Sequence, residues 1–284
     1  MSEIESVAVV GGGFMGTGIA ESVAVAGLPV IVRDVDEASL QRAVDRIESS
    51  LARAVRGGKL DESQAREARD RIELTTQLET IGGADLVVEA VPEVEQLKLD
   101  VMGAIDAVAR DDAIVASNTS SIPIAELAQS ITDPTRVLGL HFFSPVPVMM
   151  LVEVVVALDT SEETVTGARR FVERLGKRPI ETKDRSGFIV NMLLVPYLMA
   201  AVRMYEDGFA SREDIDNGMK LGCGHPMGPL TLCDFIGLDV LYAVCDSLYE
   251  EFKRDEYAPP PLMKRMVASG RLGRKSGRGF YEYE

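Results

Sequence analysis

Apolar residues in this chain recur in two distinct periods. Residues 4–10, IESVAVV, make a short β-branched run that a glycine cluster stops, and they predict a buried strand. LPVIVRD (28–34), ADLVVEAV (84–91), DAIVASNTS (112–120, a strand running into a loop), RVLGLHFF and MMLVEVVV predict further strands. Between them the spacing turns helical: from the glycines to about Ala26, over 37–56, from the early 90s to about Val108, and over 161–175. In 37–56, Leu40, Ala43, Ile47, Leu51 and Ala54 form one apolar stripe. A short strand around Arg178–Thr182 ends this half. Short β-rich runs alternating with helices imply βαβ units and a mostly parallel sheet.

After KDRSGF (183–188) the character changes. Helical patterns broken by Gly and Pro dominate to the end, with a strand expected only in the last few residues. The pattern therefore predicts an α/β domain over 1–185 and an all-α domain over 186–284, joined by the charged link near Asp184–Gly187.

Composition narrows the class. With 284 residues, 46% hydrophobic and 26% charged, the chain has enough material for two packed domains. No uninterrupted apolar stretch reaches the ~18 residues of a membrane span, and the acidic start, MSEIESVAVV, lacks a signal peptide's basic region. The net charge of −15 disfavours nucleic acid and acidic membrane surfaces as partners. Three cysteines, Cys223, Cys233 and Cys245, lack disulfide or zinc-site spacing, so no metal is expected. They are read as reduced and structural, which points to the cytoplasm.

Gly11, Gly13 and Gly16 form GxGxxG after a strand and at the mouth of a helix. Gly11 permits the tight turn, Gly13 lets a pyrophosphate approach the backbone, and Gly16 lets helix pack on strand. Asp34 ends the next strand, where a carboxylate bonds ribose hydroxyls. The reading is a dinucleotide site. Asp34 favours NAD by repelling a 2′-phosphate, while Arg33 beside it leaves NADP open.

Six ordered stretches, VVGGGFMGTGIA, VVEAVPE, ASNTSS, GLHFFSPVPVM, DRSGFIVN and GHPMGP, closing with GRKSGRGFYEY, resemble the motifs of the short-chain L-3-hydroxyacyl-CoA dehydrogenase family. The resemblance runs the whole length. It implies a Rossmann-type, doubly wound sheet domain and a helical C-terminal domain that dimerises. It also implies NAD-dependent, reversible oxidation of a (S)-3-hydroxyacyl-CoA, with short chains such as 3-hydroxybutyryl-CoA expected.

Oxidising a secondary alcohol needs a base for the hydroxyl proton, and histidine suits neutral pH. His141 ends a predicted strand, and Glu153 stands alone in the apolar run MLVEVVV. A buried carboxylate needs a partner, and Glu153 holding one nitrogen of His141 would aim the other at substrate. The family's matching His and Glu form that dyad. The resemblance further assigns Ser120 to the substrate oxygen and Ser117 or Asn118 to the nicotinamide–ribose side. It places Phe14, Met15, Glu93 and Lys98 beside the dinucleotide, Ser144 near the nicotinamide or the substrate, and Asn191 beside the substrate's oxygens. Otherwise Ser117–Ser121 is a turn or helix cap, with Ser121 the candidate cap before IPIAELA. Likewise Asn191 could bond a carbonyl freed by Pro196. His225, among glycines and prolines in GCGHPMGP, is read as part of a structural turn at a helix start.

On 37–56, Arg42, Arg46, Arg53 and Arg56 fall within about 80° of one another at 3.6 residues per turn, opposite the apolar stripe. Such a stripe is a solvated face or, in an acidic protein, a phosphate dock. With the resemblance, Ser50, Arg53, Arg56 and Lys59 become the candidate CoA contacts. Two positions depart from the family's pattern: Ser144 and Met192 stand where many relatives carry Asn and Arg. Two other readings stand beside the leading one. The first is a dehydrogenase of a free hydroxy acid or sugar acid on the same fold; the second is a nucleotide-binding structural or regulatory protein without catalysis.

Overall fold

The computed structural model describes residues 3–283. Contacts divide the chain into two units, one ending at Asp184 and the other beginning at Arg185.

The first unit is built on one eight-stranded sheet. Its strands are β1 (Val7–Val10), β2 (Val30–Arg33), β3 (Ile72–Thr75), β4 (Leu86–Glu89), β5 (Ile114–Ser117), β6 (Val137–Phe142), β7 (Leu151–Val156) and β8 (Arg178–Lys183). They lie in the order β3-β2-β1-β4-β5-β6-β7-β8. β1 to β6 run parallel, β7 is antiparallel to β6, and β8 is parallel to β7. β1, β4, β5 and β6 are buried at every position, as a sheet covered on both faces requires. The chain leaves β1 for β2 and β3 on one side and returns to β4 on the other. The crevice at the carboxyl ends of β1 and β4 is therefore the topological switch point, where open α/β sheets bind ligands.

The helices of this unit are α1 (Phe14–Val25), α2 (Glu37–Arg56), α3 (Glu62–Asp70), α4 (Glu95–Asp106), α5 (Ile124–Ala128) and α6 (Glu162–Arg174). α2 buries Leu40, Ala43, Ile47 and Leu51, the stripe its sequence predicts, and Asp36 caps its start. α3 and β3 are additions to the sequence reading. α3 has a single buried residue, Ala68, and a capping box from Asp61 and Gln64. The α5 cap differs from expectation: the N–H groups of Ile124 and Ala125 donate to Asp184 at 2.8 Å each, and Ser121 turns to Glu93 instead.

The second unit is helical: α7 (Val190–Glu206), α8 (Arg212–Cys223), α9 (Pro229–Ile236), α10 (Leu238–Phe252) and α11 (Pro261–Ala268). Val195, Leu198, Met199, Leu230, Leu241, Cys245, Leu248 and Met263 are among its core. The expected C-terminal strand is reduced to isolated bridges of Arg278 with Gly273 and Glu282. Two buried carboxylates hold the tail: Asp234 accepts from the N–H groups of Phe280 and Tyr281, and Asp216 from the Tyr281 hydroxyl. Cys233 and Cys245 are buried, and burial pushes the Cys245 thiol up to about 12; Cys223 is exposed, against the structural role expected of it.

Candidate functional site

The glycine loop sits at the switch point and is closed to side chains at Gly11 and Gly16. Gly11 has φ +111°, and a Cβ there would lie 2.6 Å from the Ala90 carbonyl oxygen; at Gly16 it would lie 1.8 Å from the Gly11 oxygen. At Gly13 a Cβ would meet nothing within 4 Å, so the backbone there is open to a ligand. α1 begins immediately above, with no side-chain cap and no acid in its first turn, so the N–H groups around Phe14, Met15 and Gly16 face this opening unneutralised. The Asp34 carboxylate accepts the Gly12 N–H at 2.9 Å, which fixes it beside the loop. These residues fit a dinucleotide: a helix start for the pyrophosphate and an acid for the ribose.

At the carboxyl ends of β4 and β5 lies a network the sequence hinted at only in part. Glu89 is fully buried and accepts from Lys98 Nζ at 2.7 and 2.9 Å, from the Ser117 hydroxyl at 2.6 Å and from the Val91 N–H at 2.6 Å. Lys98, also buried, reaches Glu93 at 3.3 Å. Glu93 gathers the loop after β5, accepting from Thr119 Oγ1 at 2.5 Å, the Ser120 N–H at 2.8 Å and the Ser121 hydroxyl at 3.1 Å. Burial works to raise the Glu93 carboxyl, but the Lys98 charge and these donors outweigh it and hold it below its usual value. Lys98 and Ser117 thus spend their polar groups on Glu89 and shape the loop. Asn118 Oδ1 accepts the Phe142 N–H at 2.9 Å, tying the same loop to the end of β6.

His141 and Glu153 are register partners across the antiparallel β6–β7 pair. Directly opposed residues on such a pair project from the same face. His141 Nδ1 and Glu153 Oε2 are 2.6 Å apart, Glu153 is fully buried and His141 nearly so. The Phe143 ring packs 4.6 Å from the imidazole. The connection between the two strands carries exposed Ser144 and a cis Ser144–Pro145 bond. Lys177, which sequence reading missed, anchors this connection from the α6–β8 turn: its buried ammonium donates to the Val146 and Met149 carbonyls at 2.6 and 2.9 Å. The connection also packs on α1, where a Cβ at Gly18 would come within 2.9 Å of Val146.

A groove of about 370 Å³ runs between α1, α2 and this connection, lined by Ser50, Arg53, Arg46 and Glu21 among others. Arg46 also reaches the Gly12 carbonyl at 3.4 Å. Arg56 and Lys59 are exposed and do not line the groove.

In the second unit, Asn191 lies half-buried in the first turn of α7. Among the described residues its amide has no hydrogen-bond partner, so no carbonyl freed by Pro196 holds it. His225 follows the end of α8 rather than opening a helix: its N–H donates to the Met219 carbonyl, and Nδ1 lies 3.2 Å from the Tyr197 hydroxyl. Among the described residues no cluster could hold a metal ion, and no helix is long and apolar enough to cross a membrane.

Comparison with known proteins covers the whole chain. The sequence profile of the 3-hydroxyacyl-CoA dehydrogenase NAD binding domain matches residues 6–185, and that of the 3-hydroxyacyl-CoA dehydrogenase C-terminal domain matches 187–283. A 3-hydroxybutyryl-CoA dehydrogenase of Mycobacterium tuberculosis is 50% identical over 282 residues, 99% of each chain. The mitochondrial hydroxyacyl-coenzyme A dehydrogenase of Sus scrofa is 42% identical, with 99% of this chain and 92% of that protein aligned. The crystal structure of M. tuberculosis FadB2 superposes with a TM-score of 0.98 at 49% identity, covering 100% of both chains. That of (S)-3-hydroxybutyryl-CoA dehydrogenase PaaH1 from Ralstonia eutropha gives 0.94 at 45% identity, covering 99% of this chain and 100% of that one.

Proposed function

Because the chain belongs to the 3-hydroxyacyl-CoA dehydrogenase family, we propose that it catalyses NAD-dependent, reversible oxidation of (S)-3-hydroxyacyl-CoA to 3-oxoacyl-CoA. Short acyl chains, 3-hydroxybutyryl and acetoacetyl, are its substrates. The observation that carries this reading is the buried His141–Glu153 pair, facing partners on β6 and β7 of a sheet whose switch point carries the glycine loop. Bound NAD supplies the hydride acceptor. The chain supplies the rest.

With Glu153 ionised, His141 Nδ1–H donates to it. That fixes the tautomer and gives Nε2 the lone pair that accepts the hydroxyl proton. As the imidazole gains that proton, Glu153 stabilises the positive charge from 2.6 Å inside a dry setting, where the attraction is strong. Ser120, held by Glu93, donates to the developing carbonyl oxygen, and Asn191 is assigned to the substrate's oxygens by resemblance. Asp34 serves the ribose, Phe14 and Met15 flank the pyrophosphate, and Ser117, Asn118, Glu93, Lys98 and Ser144 shape the nicotinamide side. Ser50 and Arg53 hold the CoA nucleotide in the α1–α2 groove, with Arg56 and Lys59 as outer charges. Three free cysteines, with Cys223 exposed, support a reducing, cytoplasmic setting.

The test measures NADH oxidation with acetoacetyl-CoA, free acetoacetate and a 3-oxo sugar acid in turn, repeated with NADPH. Turnover is expected with acetoacetyl-CoA and NADH. Faster turnover of a free acid would replace the substrate assignment, and no turnover of any would replace the enzymatic one.

A further inference from the structure

The α1–α2 groove contains a buried acid, which does not suit a phosphate dock. Glu21, on α1, is 3% exposed and lines the groove with Ser50 and Arg53. The charged groups around it are Arg53, Arg46 and Asp45 from α2 and Lys177 from the α6–β8 turn; the β6–β7 connection contributes only Pro145, Val146 and Pro147. None of the three cations is hydrogen-bonded to it: Arg53 donates to Ser49 Oγ at 2.8 Å, Arg46 reaches the Gly12 carbonyl at 3.4 Å, and Lys177 donates to two backbone carbonyls. Burial pushes the Glu21 carboxyl above its usual range, and the Ser50 hydroxyl with the Arg53 and Lys177 charges offsets this only in part.

An ionised acid here would repel any phosphate that reaches Arg53, and its own burial weakens the screening of that repulsion. The neutral acid would not, and its O–H could donate to a phosphate oxygen. We propose that Glu21 takes up one proton when an acyl-CoA docks in this groove, which makes the affinity for the CoA nucleotide depend on pH. The inference rests on placing that nucleotide at Ser50 and Arg53. Its sign follows from linkage: a ligand that binds the protonated form loses affinity as pH rises past the point where the free protein ionises. The loss is up to about tenfold per pH unit for one proton.

The experiment compares the wild type with Glu21→Gln, which keeps the shape and removes the titration. KM for acetoacetyl-CoA and for acetoacetyl-pantetheine, which lacks the nucleotide, is measured across the pH range of stability. The wild-type to Glu21→Gln ratio of KM cancels every pH effect that the two proteins share. The ratio is expected to rise with pH for acetoacetyl-CoA and to stay flat for acetoacetyl-pantetheine. A flat ratio for both overturns the proton uptake. Arg53→Gln separates that failure from a failure of the groove itself: if it leaves KM for acetoacetyl-CoA unchanged, the nucleotide binds elsewhere and both readings fall. Should Glu21→Gln not fold, calorimetry of the wild type in two buffers of different ionisation enthalpy counts the protons directly. About one more proton is expected with acetoacetyl-CoA than with the truncated substrate, and equal uptake overturns the proposal.

Discussion

Glu153 is a carboxylate placed where only a partner makes it tolerable. Fully buried on β7, it is stabilised by the His141 ring 2.6 Å away, and the same contact fixes which imidazole nitrogen carries the proton. Glu153→Gln keeps the volume but presents an amide that can donate to Nδ1, inverting the tautomer, and it has no charge to offer an imidazolium. We expect turnover of acetoacetyl-CoA with NADH to fall by about 10²–10⁴-fold, the usual worth of a positioned acid or base. His141→Ala should fall by a similar factor, and the double variant should lose little more, because the two act as one unit. Initial rates at saturating substrate measure this. Wild-type turnover in either single variant would remove the pair from the mechanism. This pairing was legible in the sequence, since an acid alone in an apolar strand twelve residues from a histidine has few other uses. Glu21 and Lys177 were not legible: each reads as an ordinary polar helix or turn position, and only packing shows them buried.

Glu93 gathers most of the side-chain hydrogen bonds of the loop after β5, and the loop's stability carries that side chain's pH dependence. Glu93 accepts from Thr119, Ser120 and Ser121, and its carboxyl is held below its usual value of 4.5. A depressed carboxyl contributes stability above its unfolded value and loses it as pH falls through the lower, folded one. Glu93→Gln should therefore cost about 1 kcal/mol at neutral pH, the net worth of a hydrogen bond or two. That corresponds to roughly 2–4 °C in Tm. Thermal melts of the two proteins should converge as pH drops below the usual carboxylate range, and a gap that widens in acid would contradict this. The elements themselves divide along similar lines. α2 was legible because its apolar residues keep a clear helical period, and β4–β7 because each is a short, nearly continuous apolar run. α3 was not, because it buries only Ala68 and is held by its capping box instead. The Asp184 cap on α5 is a contact about sixty residues away in sequence, which no local pattern can carry.

At the scale of the molecule, the helical unit leaves large apolar side chains in water. Leu193 is 73% exposed, Phe209 79% and Leu221 84%, with Ile189, Met204, Phe235 and Val240 also uncovered. Exposed apolar area of this extent marks an association surface, and closed twofold pairing is the commonest way to cover it. We propose a homodimer formed through this unit. Each protomer carries a net charge of −15, so pairing brings two like-charged bodies together, and the apolar contact must outweigh that repulsion. Salt screens the repulsion over a Debye length of about 10 Å at 0.1 M and leaves apolar burial in place. Dimerisation should thus tighten as salt rises, opposite to an interface held by ion pairs. Light scattering on micromolar protein should give twice the protomer mass. Leu193→Asp removes nothing from the protomer's own core and adds one more negative charge to the patch. It should shift the mass toward the monomer while the protomer's melting temperature moves little at low protein concentration. A wild-type monomer at micromolar concentration, or a dimer that salt dissociates, would show that this apolar surface is not what pairs the chains.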